Sequence, residues 1–475
     1  MGDTSVLVAS NRGPLSYVAD ERGRLTARRG GGGMISALEA LEQPITWVCA
    51  ALTDGDRAAV RATPDGLFHP PSGTAPGRQV VRMLDLDRVI FERAYNGVAN
   101  RTLWFIAHLL FNTAHAPTFG HTWAADWEAY QHYCASFADA LCEEAAPDGK
   151  VLVQDYHLVL VPRMVRSRRP DLRISHFTHT PWASPDYFRL LPDDVAVAVL
   201  DGMLAADRLG FHAQRWADAF LACCDAVLEA DVTGNEVRYR GLTTIVEVHP
   251  LGVDGAELRR RAEQEDVARR LELLADHVDG RQLLLRIDRT ELSKNIVRGL
   301  ESYRELLREH PELRGEVTHL AFAYPSRHDL PEYREYTAAV QRTAYDIAEE
   351  FGRPGWEPVR LEVSDDFPRS LAAYSLADVL VVNPVRDGMN LVAKEGPVLS
   401  QQNLSLVLSR EAGAVAELGE DSFVVNPYDI SQTSGAMWDA LQLSAAERES
   451  RCKRMAAAAV ALPPAQWFSQ QVAAL

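Results

Sequence analysis

The sequence predicts an α/β protein built of two doubly wound domains. Short apolar runs alternate with longer amphipathic stretches, and this rhythm occurs in both halves of the chain. The length of 475 residues also exceeds the ~250–300 at which single cores stop growing. Val6–Ala9 is the first run, closed by Ser10-Asn11-Arg12-Gly13-Pro14. Val151–Val153 follows, ending at Gln154-Asp155, and then Ile174–Phe177, ending at Thr178-His179-Thr180-Pro181. Leu283–Ile287, His319–Phe322, Val379–Val382 and Ser405–Leu408 repeat the pattern in the second half. Continuous runs of this length read as parallel strands buried on both faces. The extended segment Val246 to Asp254 contains Pro250 and Gly252 before charged helical sequence resumes, so the interdomain crossing is expected there. This gives one domain over 1–248 and another over 249–459. In open α/β sheets ligands bind at the carboxyl ends of strands, so function is expected at the strand exits and in a cleft between the domains.

Lys+Arg 49 against Asp+Glu 66 leaves a net charge of −17. That charge opposes broad binding to nucleic acid or an anionic membrane and points to a small anionic ligand in a local basic pocket. Six cysteines, at 49, 134, 142, 223, 224 and 452, form neither a C-x-x-C metal pair nor a dense disulfide framework, which favours a reducing compartment. The amino terminus enters Val6-Leu7-Val8 without a basic start and apolar stretch, so cytoplasmic localisation is expected. The weakly charged stretch Thr102–Ala125 is broken by His108, Asn112, His115, Pro117 and His121, which excludes it as a ~20-residue apolar span. Oligomeric state is not written in the sequence; a homo-oligomer fits the prevalence of dimers.

After the first strand, Arg28-Arg29-Gly30-Gly31-Gly32-Gly33 precedes a helix expected from Met34. Such a loop reads either as a phosphate cradle or as a plain surface turn. It is neither a P-loop nor the dinucleotide fingerprint. Asp155 and His179 leave two separate strands, and these groups can bond sugar hydroxyls or move protons; each histidine alone reads equally as a packed core residue. No H-E-x-x-H or comparable spacing accompanies them, so no metal and no cofactor are expected. Arg286-Ile287-Asp288-Arg289 with Ser293-Lys294 reads either as a solvated charged turn or as a diphosphate site. The exit of Val379–Val382 favours the second. It reads Asn383-Pro384-Val385-Arg386-Asp387-Gly388-Met389-Asn390-Leu391, opening a helix that carries Glu395, and amides and polar groups there suit a sugar and phosphates.

In family order, Ser10-Asn11-Arg12, the loop ending at Gly33, Asp155-Tyr156-His157, His179-Thr180-Pro181, Leu209-Gly210-Phe211, Arg289 to Lys294 and Arg386 to Glu395 resemble the trehalose-6-phosphate synthases. These are retaining glucosyltransferases of GT-B fold that join an NDP-glucose donor to glucose 6-phosphate. The resemblance implies two Rossmann-like domains facing a central cleft, with the acceptor on the first and the nucleotide sugar on the second. The tail Pro463 to Phe468, within about 460–475, would form a helix crossing back to the first domain. It implies that Arg12 and Arg327 hold the acceptor phosphate, that Tyr95 and Trp104 shape that pocket, and that Asp155 contacts the acceptor sugar. His179 would bond the donor glucose, while Arg289 and Lys294 stabilise the leaving diphosphate. Gly33, Asp387, Gly388, Met389, Asn390 and Leu391 would bind donor sugar and phosphate, Glu395 the ribose and Phe367 the base. Front-face substitution without a metal or a covalent sugar-enzyme link is implied, with the leaving phosphate taking the acceptor proton.

Two departures stand out. Val48-Cys49-Ala50-Ala51 follows Trp47 where the family commonly has Gly-Trp-Ser-Gly, so an acceptor-side aromatic is missing. Arg289-Thr290-Glu291-Leu292-Ser293-Lys294-Asn295 replaces Arg-Leu-Asp-Tyr-Ser-Lys-Gly and keeps both cations. The stretch from His179 to Tyr187 is also similar to the related pseudoglycosyltransferases, which makes GDP-glucose a donor candidate beside UDP-glucose. The alternatives are an aminocyclitol phosphate or glycerol 3-phosphate acceptor, and a non-catalytic sugar-phosphate-binding regulator.

Overall fold

Val6–Ala9 are almost wholly out of solvent because their strand lies inside a ten-stranded sheet with parallel neighbours on both sides. The computed structural model describes residues 4–20, 24–29, 44–63, 66–68 and 79–475. The chain divides into two compact units, one of residues 1–251 with 464–475 and one of residues 252–463. The first unit thus runs three residues past the boundary drawn from the sequence, since His249 still donates its backbone N–H to Phe211 and accepts from Trp467.

The strands of the first unit are β1 (Thr4–Ala9), β2 (Leu15–Ala19), β3 (Leu25–Arg29), β4 (Ile45–Ala50), β5 (Leu67–Phe68), β6 (Gln79–Leu84), β7 (Ala145–Gln154), β8 (Arg173–Thr178), β9 (Arg208–Phe211), β10 (Asp231–Thr233), β11 (Glu236–Tyr239) and β12 (Leu242–Val248). β2 and β3 pair as a separate antiparallel ribbon. The large sheet runs β10-β11-β12-β9-β8-β7-β1-β4-β6-β5. From β1 the chain proceeds outward through β4 and β6 on one side, then returns to β7 and proceeds through β8 and β9 on the other. The reversal falls between β1 and β7, where Val8 pairs with Leu152 in parallel register. Their carboxyl ends therefore open a crevice, the place where such sheets bind ligands.

The second unit repeats the plan with β13 (Gln282–Arg289), β14 (Val317–Tyr324), β15 (Val359–Glu362), β16 (Val379–Val382), β17 (Ser405–Ser409) and β18 (Phe423–Val425). The order β15-β14-β13-β16-β17-β18 is parallel throughout, with the reversal between β13 and β16. Side chains on a strand alternate between faces. Leu283, Leu285 and Ile287 accordingly enter one core with Leu380 and Val382, while Leu284 enters another with Val379 and Val381. Both faces being covered explains why these strands read as unbroken apolar runs.

The helix Pro464–Ala474 belongs to the first unit and buries Trp467 and Phe468 completely. Its carbonyl end is tied down by two cations: Lys150 Nζ donates to Val472 O at 2.7 Å and Arg208 Nε to Ala474 O at 2.6 Å. Positive charge is favoured at that end by the helix dipole. Among the described residues no helix is long and apolar enough to cross a membrane.

Candidate active site

At the exit of β1, Ser10 Oγ accepts from Trp47 Nε1 at 2.7 Å and donates to the Arg12 carbonyl at 2.7 Å. Tyr133 OH donates to Asn11 Oδ1 at 2.7 Å, so the turn is pinned from beneath and the Arg12 side chain is exposed at its tip. At the exit of β7, Asp155 adopts φ +72°, a conformation that costs a non-glycine residue of order 1–3 kcal/mol and concentrates at functional sites. Its Oδ1 accepts the backbone N–H of His179 at 3.2 Å, which joins the exits of β7 and β8.

The His179 ring is held at both nitrogens, Nδ1 3.1 Å from His212 Nε2 and Nε2 3.0 Å from Gln154 Oε1. Phe177 and Trp467 pack near it, with ring centroids 4.9 Å and 5.8 Å away. Burial pushes the His179 pKa down, and nearby Asp155 opposes this only in part. His179 is therefore neutral at physiological pH. Tyr95 stacks on His157 at 5.7 Å and sits in an 11-residue π-helical segment, Arg93–Leu103, a geometry frequent at functional sites. Trp104, by contrast, is buried, stacked on His108 at 3.9 Å and tilted against Tyr156 at 5.5 Å. Gly33 and the helix expected from Met34 lie outside the described residues.

The second unit gathers charge. Lys294 Nζ donates to Asp387 Oδ2 at 2.6 Å, and the same oxygen accepts from Asn390 Nδ2 at 3.1 Å. Asp387 Oδ1 accepts from the backbone of Met389 at 3.3 Å, while Asn390, at φ +82°, receives the Ala393 N–H on its Oδ1 at 3.2 Å. One carboxylate thus organises the loop and the start of the helix Val392–Leu399. Gly413 lies against the backbone of Gly388 and Met389, so closely that a Cβ there would collide with the Gly388 carbonyl. Burial opposes charge on Lys294, but Asp387, Asp288 and Glu291 outweigh it and raise its pKa.

The segment around the exit of β13 is buried at Arg286, Glu291 and Ser293, each at most 1% exposed, whereas the Arg289 side chain is 59% exposed. Arg286 Nε donates to Asp288 at 2.9 Å, and its remaining nitrogens reach the carbonyls of Lys294 and Ile296 and the Asn383 side chain. Gly299 makes this possible, because a Cβ would occupy the guanidinium's space. Glu291 is held at a pKa of about 2: burial acts to raise it, but Arg289, Arg327, Lys294 and the Ser326 hydroxyl prevail. Its Oε1 lies 3.3 Å from Arg289 Nη1 and accepts from Ser326 at 2.9 Å. Arg327, at φ +46°, donates to Tyr333 OH at 2.7 Å. Arg327 and Arg12, grouped by the sequence as acceptor-phosphate ligands, lie on different units, and Arg327 belongs to the Glu291 cluster. Tyr374 OH donates to Glu395 Oε2 at 2.9 Å, and burial raises the Glu395 pKa to about 7. Phe367 is the first residue of the helix Phe367–Leu376 and is 49% exposed.

Sequence reasoning missed Gln154, His212, Glu291 and Tyr374. An arginine inside the apolar run Leu283–Ile287 signals a buried ion pair, and Glu291 between two retained cations signals their counter-charge. Nothing local marks His212 or Tyr374.

Two doubly wound units with ligand groups at their switch points define a GT-B glycosyltransferase. The chain belongs to glycosyltransferase family 20, whose family model matches residues 4–475. It is 30% identical over 455 residues to an α,α-trehalose-phosphate synthase (UDP-forming) of Aspergillus niger, covering 93% of this chain and 91% of that one. A probable α,α-trehalose-phosphate synthase (UDP-forming) of Arabidopsis thaliana is 32% identical over 365 residues, 76% of this chain but only 44% of the plant protein. An E. coli structure described as trehalose-6-phosphate bound with UDP-2-fluoro glucose superposes with a TM-score of 0.85 at 26% identity, covering 99% and 98% of the two chains.

Proposed function

We propose that this protein transfers glucose from a nucleoside diphosphate glucose to glucose 6-phosphate with retention of configuration, giving α,α-trehalose 6-phosphate and the nucleoside diphosphate. The observation that carries this reading is the Lys294–Asp387–Asn390 constellation with Arg289 nearby in sequence, at the switch point of the second unit. The synthase activity of the Aspergillus relative supports it, and the UDP-sugar analogue in the E. coli structure favours UDP-glucose over GDP-glucose as donor.

On this reading Arg289 and Lys294 stabilise the negative charge that develops on the departing diphosphate, a term worth ~10²–10³ in rate for one preorganised donor. Asp387 holds Lys294 in place, and Asp387 to Leu391 bind the donor sugar and phosphate. Glu395 would meet the ribose and Phe367 the base. Arg12, Tyr95 and Asp155 would bind the acceptor, with Arg327 as a further phosphate ligand; Trp104, being buried, would back the pocket through Tyr156. Burial lowers the His179 pKa and so weakens it as a base, and the leaving phosphate would take the acceptor proton. Two fixed cations supply the charge stabilisation that a metal otherwise gives.

One observation favours a different acceptor. Trp47 is turned inward onto Ser10, and Cys49, Ala50 and Ala51 after it are small and buried, so this segment itself offers no further aromatic side chain at the end of β4. The test is nucleotide release from UDP-glucose and GDP-glucose, each with and without glucose 6-phosphate, with the product identified by mass. Release dependent on glucose 6-phosphate supports the proposal; release only with another sugar or polyol phosphate replaces the acceptor, and silence with both donors rejects the reading.

A further inference from the structure

The proton positions around His179 follow from the acceptors that surround it. The His249 carbonyl can only accept, and it receives Trp467 Nε1 at 2.9 Å with His212 Nδ1 3.2 Å away. His212 therefore carries its proton on Nδ1, which leaves Nε2 as a lone pair. That lone pair faces His179 Nδ1 at 3.1 Å, so His179 is also protonated on Nδ1. The neutral ring then presents a lone pair at Nε2, where the Gln154 amide lies 3.0 Å away. The Gln154 amide nitrogen is buried and has no partner, and turning the amide by half a rotation gives it one: N–H to His179 Nε2. The link from Gln154 through His179 and His212 to the His249 carbonyl then runs donor to acceptor at every step without a buried positive charge. Asp155 does not alter this, since the contact it makes to His179 is to the backbone N–H.

We propose that His212 and Gln154 are positioning residues that hold His179 as the Nδ1-protonated tautomer, so that Nε2 is available to accept a hydrogen bond from a hydroxyl of the bound sugar. This rests on the donor-sugar role read for His179 above. The arriving hydroxyl replaces the Gln154 amide as donor, so Nε2 keeps one hydrogen bond and the Gln154 N–H is released from it. His179 thereby selects a sugar that offers a hydroxyl as donor at this point; a sugar bearing only an ether or fluorine there leaves Nε2 to Gln154.

The experiment uses the full chain labelled with ¹⁵N-histidine, with the His179 signals assigned through loss in His179→Ala. Long-range proton–nitrogen correlation reads the tautomer directly. The expected spectrum shows a protonated Nδ1 and a bare Nε2, constant over the pH range in which an ordinary histidine titrates. His212→Phe removes the acceptor and should mix the two tautomers and raise the donor KM about tenfold, the worth of roughly one hydrogen bond, with acceptor KM unchanged. His212→Gln retains an acceptor facing Nδ1 and should restore both tautomer and KM. Gln154→Glu, nearly isosteric, places an obligate acceptor at Nε2 and should draw a proton onto it. A wild-type His179 protonated on Nε2, or an unchanged spectrum in both His212→Phe and Gln154→Glu, overturns the proposal. Tautomer shifts that leave the donor KM untouched would instead overturn the donor role of His179 while the hydrogen-bond chain stands.

Discussion

The two switch points solve the same problem with different chemistry. In the first unit, apart from the Asp155 carboxylate on the His179 backbone, the strand exits are tied by neutral groups: Ser10 to Trp47, Asn11 to Tyr133, and His179 to His212 and Gln154. In the second they are tied by ions: Arg286 to Asp288, Arg289 to Glu291, and Lys294 to Asp387. A neutral chain defines where protons lie and suits the recognition of hydroxyls. A network of charges fixes cations against which phosphate charge can develop, at the cost of desolvation that must be offset within the network. The contrast predicts that the second unit is far more sensitive to loss of a single partner.

Asp288→Ala should have the largest effect. Arg286 and Asp288 have side chains 0% and 5% exposed, so removing the carboxylate leaves a buried guanidinium without its counter-charge, a loss of about 3–5 kcal/mol. Tyr133→Phe removes one neutral hydrogen bond in the first unit and should cost about 1 kcal/mol. Urea denaturation of both variants measures the difference, and equal losses would erase the distinction between the two sites.

Lys294→Ala comes next, seen in turnover. It removes a preorganised cation and takes the ammonium away from Asp387, so kcat should fall on the order of 10²–10³-fold. Arginine is not expected to rescue it, because a planar fork does not fit a pocket shaped around an ammonium 2.6 Å from one carboxylate oxygen. A drop below about tenfold would remove Lys294 from leaving-group stabilisation. Arg12→Ala, at the exposed tip of the first-unit turn, should raise the acceptor KM about tenfold or more and leave the donor KM unchanged. An equal rise in donor KM would show that the two units do not divide the substrates.

How much of this was legible depends on whether the cause was local. Val379–Val382 was read to the residue because a strand buried on both faces must be apolar throughout. β4 and β6 escaped because Thr46, Gln79 and Arg82 interrupt their apolar character. Asp155, His179, Lys294 and Asp387 were singled out because strand exits are where such sheets hold ligands. Their partners were not: His212 and Trp467 approach His179 from 33 and 288 residues further along the chain, and only the sheet order brings them there. The turn at Arg286 to Lys294 admitted a solvated reading because a charge's sequence neighbours do not reveal its burial. The π-helical segment Arg93–Leu103 carries no signature that separates it from an α-helix.

A dependence on pH separates two carboxylates within the charged unit. Glu291 is held down to about 2 by its cations, so it contributes stability that is present above its ordinary value of 4.5 and is lost as pH falls toward about 2. Glu395 is raised to about 7 by burial, with only Tyr374 opposing. Its folded form binds the proton more tightly than the unfolded form. Its contribution is therefore complete below pH 4.5 and declines as pH rises through about 7. Stability should fall with rising pH across that window in the wild type, and Glu395→Gln should flatten this slope without touching the acid limb that belongs to Glu291. Donor affinity should follow the opposite course, because ribose hydroxyls donate best to the ionised carboxylate: affinity should rise as pH passes about 7 in the wild type and stay level in Glu395→Gln. Thermal unfolding and nucleotide binding measured at the same pH values check both halves. A wild-type donor affinity flat across this range would exclude an ionisable Glu395 from the ribose contact.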